Sequence, residues 1–367
     1  VLRTEDEWDI REEEAQPYEE HPKRISLPGT LKVIEMIDKP DGVTPFTLFS
    51  DALLEILMNA VENKEHAFLF AARRGLAPVV ACGDCGHILR APESGAPLAL
   101  HRNIKNGVEE RWLVCSVSGY RERAKDLCPA CGSWRLRERG IGIQHVYDEL
   151  KKHLPADSIL LFDYTTANTH KKARELQERF YKKKGAILLG TALAFPYLQK
   201  PLHVSAVTSM DALRAIPSWR QQEEILSLLI SLREKTTGDV LVQTRTTDND
   251  ILSYVEKGRV AEFYTEELAL RADFNYPPFA VFIHFTWQGD LKNVERIKEQ
   301  LETLFADEGI SIYGPAKKND THNTQAKTMK QALIRVPAQT WPNDTIVDKI
   351  QSLPQSVRVM INPDRII

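Results

Sequence analysis

Four cysteines carry the most specific chemistry in this chain. Cys82-Gly83-Asp84-Cys85 and Cys128-Pro129-Ala130-Cys131 are two C-x-x-C pairs. Two such pairs offer four thiolates, the ligand set that zinc takes up as a closed tetrahedron. Gly86 and Gly132 follow the second cysteine of each pair, where a tight knuckle turn calls for a permissive backbone. The stretch from Gly86 to Leu127 is longer than the roughly 15–20 residues of a common zinc ribbon, so it reads as a long insertion between knuckles. Four thiolates leave no open position for water, and the expected role is structural, with one zinc ion per chain. A redox pair and unliganded buried thiols are the other readings of these residues. Cys115 is left over and reads as a small buried hydrophobe. His101 reads either as a further ligand or as a hydrogen-bonded structural histidine.

The bulk properties set the frame for that site. Five cysteines, four of them in metal spacing, argue against a secreted disulfide framework and for a reducing cytoplasm. With a formal charge of -3, any nucleic-acid binding has to come from local basic patches rather than a global field. No apolar run reaches the roughly 18–20 residues of a membrane span, so no membrane partner is expected. The start of the chain lacks the basic and apolar regions of a secretory signal. Its first residue is Val, which leaves a fragment, a processed form or an unusual start codon open.

The elements that must position the cysteines follow from hydrophobic periodicity. Residues 1–30 are acidic and poor in aliphatics, and read as a linker or the end of a preceding lobe. Strands are expected at Leu31–Ile37, Ala67–Phe70, Ser158–Phe162, Ala186–Leu189, His203–Val207 and Val240–Gln243. Helices are expected at Phe49–Asn63, Val146–His153, Lys171–Lys183 and Ser218–Arg233. Strands alternating with helices predict a mostly parallel sheet covered on both faces, interrupted by an insertion at 82–131. Beyond about residue 245 the character changes. One helical stretch, Ile251–Leu270, precedes strands at Ala280–Trp287, Ile310–Tyr313, Ala332–Val336 and Val357–Ile361, with helices at Asn293–Phe305 and Thr345–Ser352. That order predicts a smaller α+β domain over 245–367.

Two basic stretches are candidates for phosphate contacts, which carry no sequence information, or are solvated faces. The first holds Lys171, Lys172, Arg174, Arg179, Lys182, Lys183 and Lys184. The second holds Lys317, Lys318, Lys327, Lys330 and Arg335. Arg73 and Arg74, after a strand end, are a third candidate.

Several segments in order resemble the second helicase lobe of the PriA (primosomal protein N′) family of bacterial replication-restart helicases. They are Phe68 to Pro78, Cys82 to Gly86, Leu100-His101-Arg102, Cys128 to Ser133, Gly140-Ile141-Gly142, Gly190-Thr191 and Gly238 to Thr244. Phe263-Tyr264, Glu267-Leu268, Tyr276-Pro277-Pro278-Phe279 and Gly314-Pro315-Ala316 extend the resemblance through the last domain. It covers roughly residues 25–367. It implies a RecA-like, superfamily-2 lobe over 31–81 and 132–244, a zinc-bearing insertion, and a C-terminal domain that helps to bind branched DNA. The family carries eight cysteines and two zinc ions; here the second set reads Ala91, Ser94, Cys115 and Ser118, so that site is expected to be lost. The family's aromatic-rich hairpin is represented mainly by Trp112, a stacking wedge on a base or an ordinary core or surface tryptophan.

The nucleotide chemistry departs further. The chain has no G-x-x-x-x-G-K-[ST] loop to cradle phosphates and no Asp-Glu-x-His box for Mg²⁺; both belong to a first lobe. The family's Gly-Arg motif aligns with Leu226–Thr237, where Arg233 is the only arginine. Gly190, Thr191 and Arg233 are therefore read as vestiges of a nucleotide site. ATP and Mg²⁺ are expected only where a first lobe exists. The leading reading is a primosomal protein acting in replication restart. It would bind branched or single-stranded DNA and primosome or single-strand-binding proteins, without its own ATPase. The alternatives are an active 3′-to-5′ helicase whose first lobe lies outside this chain, and a zinc-stabilised scaffold with no DNA role.

Overall fold

A computed structural model describes residues 25–36, 47–73, 75–92, 95–105, 108–115, 120–216, 218–246, 250–313 and 328–363. The acidic arm up to residue 24 lies outside them. So do Arg74, Ser94, Ser118, Lys317, Lys318, Lys327 and the Gly314-Pro315-Ala316 motif.

The first unit begins with β1 (Thr30–Glu35), α1 (Asp51–Glu62) and β2 (His66–Phe70). Ser50 caps α1, its hydroxyl accepting the Leu53 N–H at 3.1 Å, and Leu53, Leu54, Leu57 and Ala60 bury one face of the helix. An arm then leaves the end of β2: β3 (Val79–Cys82), β4 (Ala99–Lys105), β5 (Val108–Val114), β6 (Arg121–Arg123) and β7 (Leu136–Arg139). The unit resumes with α2 (Ile143–Leu150), β8 (Ile159–Phe162), α3 (His170–Lys182), β9 (Ala186–Gly190), β10 (Val204–Val207), α4 (Met210–Arg214), α5 (Gln221–Lys235) and β11 (Asp239–Thr244).

Six of these strands form one parallel sheet in the order β1-β11-β10-β2-β9-β8. Its central strands are buried on both faces, which is why His66–Phe70 and Ala186–Gly190 read as apolar runs rather than alternations. Alternation survives in what each side chain touches. Phe68, Phe70 and Leu188 pack with Ala173, Leu176 and Phe180 of α3 and Ile225, Leu226 and Leu229 of α5. Ala67, Leu69, Ile187 and Leu189 pack with α1 and α2 on the opposite face.

A second unit follows: α6 (Asp250–Lys257), α7 (Val260–Asp273), β12 (Ala280–Gly289), α8 (Leu291–Leu304), β13 (Ser311–Tyr313), β14 (Thr328–Pro337), α9 (Asp344–Gln351) and β15 (Val357–Ile361). Its strands make an antiparallel sheet, β13-β14-β12-β15. Odd-numbered residues of β12, from Val281 to Trp287, pack with Val294, Ile297 and Leu301 of α8 and Ile346 of α9. The expected architecture, a RecA-like parallel sheet followed by a smaller α+β unit, is the one observed. The expected single helix Ile251–Leu270 is two. Gly258 breaks it with φ at 66°, where a Cβ would meet the Ile25 carbonyl oxygen, and the Ile25 N–H donates to the Gly258 carbonyl at 2.9 Å. Among the described residues no helix is long and apolar enough to cross a membrane.

The two units meet on Trp219 and Arg271. The indole N–H of Trp219 donates to Pro363 O at 3.0 Å, and its ring meets Tyr276 and Phe282 edge-on. Arg271 bonds Glu223 of α5 and Glu267 of its own helix, both at 2.9 Å. Arg220 and Arg271 hold the Glu223 carboxyl below the usual range.

Arg233, at the end of α5, ties the edge of the sheet together. It is buried; its Nε donates to Gly29 O at 2.7 Å, and its Nη1 donates to Val255 O and Glu256 O. Burial draws the guanidinium below its usual pKa. Arg233→Ala leaves these carbonyls without donors and is expected to cost roughly 3 kcal/mol. A urea titration reads this as a lower midpoint at an unchanged slope.

Candidate metal centre

The four sulfurs of Cys82, Cys85, Cys128 and Cys131 all lie within 4.8 Å of one another. Cys82 and Cys131 are 3.7 Å apart, and Cys85 and Cys128 3.8 Å. Disulfide sulfurs would be about 2.05 Å apart. A separation of about 3.8 Å is the edge of a tetrahedron of sulfurs bonded at about 2.3 Å to one central ion. The arrangement can hold one metal ion, with both C-x-x-C pairs contributing.

The two knuckles repeat one backbone pattern. Cys82 N–H donates to His87 O, and Gly86 N–H returns to Cys82 O. Cys128 N–H donates to Ser133 O, and Gly132 N–H returns to Cys128 O. Gly86 and Gly132 sit at φ 71° and 73°, so these glycines answer a backbone requirement. Side chains lock one knuckle to the other. Ser133 Oγ donates to Asp84, Arg135 pairs with Asp84 at 3.0 Å, and Gly83 N–H donates to Arg135 O at 2.7 Å. Ser133 and Arg135 hold the Asp84 carboxyl below its usual range.

The thiols are electrostatically unequal. Backbone N–H groups of Cys85 and Asp84 favour the Cys82 thiolate and bring it down to about 6. Cys131 receives a favourable N–H from Ser133, yet the Cys85 thiol, burial and the other two thiols push it up to about 12. Thiols this close do not all ionise alone; a divalent cation among them supplies the missing charge.

The metal pair closes an arm that already has a base. Strands β3 and β7 run antiparallel, Val79 opposite Arg139 and Cys82 opposite Leu136. Strands β4, β5 and β6 form a three-stranded sheet. The arm docks on α2 through Gln144, which is buried and exchanges two hydrogen bonds with the backbone of Arg102, both at 2.9 Å. Arg102 also pairs with Asp148 at 2.6 Å. Gln144 and Asp148 thus act as anchors for the arm.

Ala91 and Cys115, in the positions of the second ligand set, are buried in the arm's apolar core with Leu76, Val80, Leu89, Leu98, Leu100 and Leu113. Their backbone still follows the knuckle pattern. Ala91 N–H donates to Ala96 O, Gly95 N–H to Ala91 O, and Cys115 N–H to Tyr120 O. Gly95 has φ 69°. Among the described residues the only candidate metal cluster is the first one.

The remaining candidate residues are scattered. Trp112 is half-buried on β5, opposite His101. Its indole donates to Glu110 at 3.3 Å, and the Arg121 and Arg123 guanidinium carbons lie 4.8 and 5.8 Å from its ring centre. Those two arginines were missed; their alternation in Arg121-Glu122-Arg123 was the available signal. Arg73 donates to Ala215 O, Lys182 pairs with Glu178, Lys183 with Asp157 and Lys330 with Glu295; Lys184 is exposed. Gly190 ends β9 and Thr191 follows it, and the Thr191 hydroxyl accepts the Leu193 N–H. Arg233 contacts Gly29 at the N-terminal edge of the same parallel sheet, so the structure does not bring the three together.

Chelating the metal, or replacing Cys128 by Ser, is expected to raise hydrogen exchange over residues 76–140 while the amides of β2 and β9 stay protected. Acid is expected to release the metal, because protons compete for the thiolates. Restoring ligands beside Cys115 with Ala91→Cys, Ser94→Cys and Ser118→Cys is expected to raise the metal content from one ion per chain to two, read by elemental analysis.

No family model matches the chain. It is 30% identical over 239 residues to the replication restart protein PriA of Bacillus subtilis, across 64% of this chain and 29% of that protein. It is 27% identical over 299 residues to the PriA of Borreliella burgdorferi, across 78% of this chain and 43% of that protein. It is 28% identical over 304 residues to that of Rickettsia prowazekii, across 80% and 45%. The matched region is less than half the length of each of these relatives. With its parallel sheet and four-cysteine arm, the chain is similar to a C-terminal region of the replication restart protein PriA.

Proposed function

We propose that this chain acts in replication restart in the cytoplasm, binding branched or single-stranded DNA and holding primosome or single-strand-binding proteins, without hydrolysing ATP itself. The observation that carries this is the similarity to replication restart proteins across both units of the fold. In this reading residues 31–81 and 132–244 are a helicase-type lobe, 82–131 a zinc-binding insertion, and 245–367 a DNA-binding unit. The ion is zinc, held by Cys82, Cys85, Cys128 and Cys131, in the four-thiolate form that zinc takes in structural sites. It supplies a fixed, closed cross-link and no Lewis-acid chemistry, because all four positions belong to protein sulfur.

Two features support the absence of ATP turnover. Arg233, the aligned arginine, bonds main-chain carbonyls, and Thr191 caps its own loop. A γ-phosphate thus lacks the cation that related machines use, a loss of about 10³–10⁵ in rate. ATP and Mg²⁺ would need a partner lobe with a phosphate loop.

A fork substrate is expected to bind more tightly than a random duplex, with affinity falling steeply as salt rises, since each neutralised duplex phosphate adds about 0.9 to the slope. Equal, weak binding of both with a shallow slope would favour a scaffold with no DNA role. DNA-stimulated ATP turnover by the chain alone would remove the second half of the proposal.

A further inference from the structure

Trp134 is 75% exposed, on the turn between the second cysteine knuckle and β7. Tryptophan rarely stands so far into water. Its neighbours on both sides are held. Ser133 Oγ donates to Asp84, and Arg135 pairs with Asp84 while its guanidinium carbon lies 6.0 Å from the centre of the Trp134 ring. The ring is thus presented by a backbone that the metal site has already ordered, so little entropy remains to be lost when something settles on it.

The strand that follows carries Arg137 and Arg139, one face of β7 by the two-residue alternation of a strand. They stand opposite Ala81 and Val79, side chains too short to cover them. Arg137 runs across Gly83, where a Cβ would lie 2.8 Å from its Nε. Both arginines are exposed and have no ion-pair partner among the described residues. Of the nearby carboxylates, Asp84 bonds Ser133 and Arg135 and also lies in the field of Arg137, and Glu138 pairs with Arg111.

We propose that Trp134, Arg137 and Arg139 form a contact site for single-stranded nucleic acid on the outer face of the metal-closed stem. An unpaired base stacks on Trp134, and the phosphates that follow it meet the two arginines. They are two residues apart on one strand face, about 6.6–6.8 Å, comparable to the step between phosphates of an extended strand. Duplex DNA keeps its base faces stacked internally and offers the ring nothing equivalent. The site rests on the DNA-binding reading above and differs from the Trp112 hairpin, which is built on β4 and β5.

The test is fluorescence anisotropy of the full chain with a labelled oligothymidylate, a fork and a blunt duplex, each variant first matched to wild type in metal content. Trp134→Ala is expected to weaken oligothymidylate binding about tenfold or more and to leave the duplex unchanged. Trp134→Phe, which keeps an aromatic face, is expected to restore most of the loss. Arg139→Gln is expected to lower the salt slope on the single strand by roughly 0.7. Wild type that binds oligothymidylate no better than Trp134→Ala does would overturn this site and leave the DNA reading standing. An equal loss on single strand and duplex would also overturn it. Wild type that binds none of the three substrates would instead remove the DNA reading itself.

Discussion

Strand β2 lies inside the parallel sheet, and the chain that leaves its C-terminal end has to return before α2 can cover that sheet. The return is fixed at short range. Ile143 N–H donates to Arg73 O, Gln144 N–H to Gly75 O and Gly142 N–H to Leu76 O, at 2.9 to 3.1 Å. Everything between these residues is a loop whose ends are pinned, and pinning the ends of a long loop costs entropy. The β3–β7 ladder starts at the pin, with Val79 opposite Arg139, and carries the cysteines at its other end, where Cys82 stands opposite Leu136. Together they make the closure of a long excursion a local event, which lets an arm of this size project from a central strand without loosening the lobe.

The arm itself is too small to be stable on a hydrophobic core alone, and small units of this kind usually rely on metals or disulfides. This chain combines two solutions. At one end of the β3–β7 ladder, four sulfurs surround one site. Elsewhere in the arm, Ala91 and Cys115 occupy knuckle-shaped backbone but point into an apolar cluster with Leu98, Leu100 and Leu113. The turn geometry was retained where the ligand chemistry was not, because hydrogen bonds such as Gly95 N–H to Ala91 O depend on the backbone and not on what the side chain coordinates. Packing has taken over the cohesion that a second ion would supply.

Much of this was legible from residue order. The cysteine spacing pointed directly to the metal site, since two pairs of thiols, each three positions apart, have few other arrangements. The buried strands were legible as apolar runs, and the capped helices as periodic ones. Three features were not legible. Gly258 sits in an otherwise continuous helical pattern, and its break depends on Ile25, which is remote in sequence. Arg233 aligns with a nucleotide-contacting motif, but order along the chain does not say which end of a parallel sheet a helix terminus will meet. The exposure of Trp134 depends on what fails to pack against it, which composition and period do not report.

The polar groups at the C-terminal edge of the parallel sheet bear on where a ligand could bind. In open α/β sheets that edge is the usual place for ligands. Here its side chains satisfy one another. Asp211 accepts from Thr244, Thr246 and the Arg245 N–H, Asp163 accepts from Thr165 and from the Thr166 N–H, and Arg73 donates to Ala215 O. A phosphate arriving at this edge would have to break those bonds before making its own, and the gain on exchange would be small. The arm begins at the same edge, at the end of β2, and carries uncommitted cations and an uncovered indole away from it. A lobe with a self-satisfied edge still holds that arm in place. In the proposed reading the sheet contributes position, and the cysteine-closed arm contributes contact.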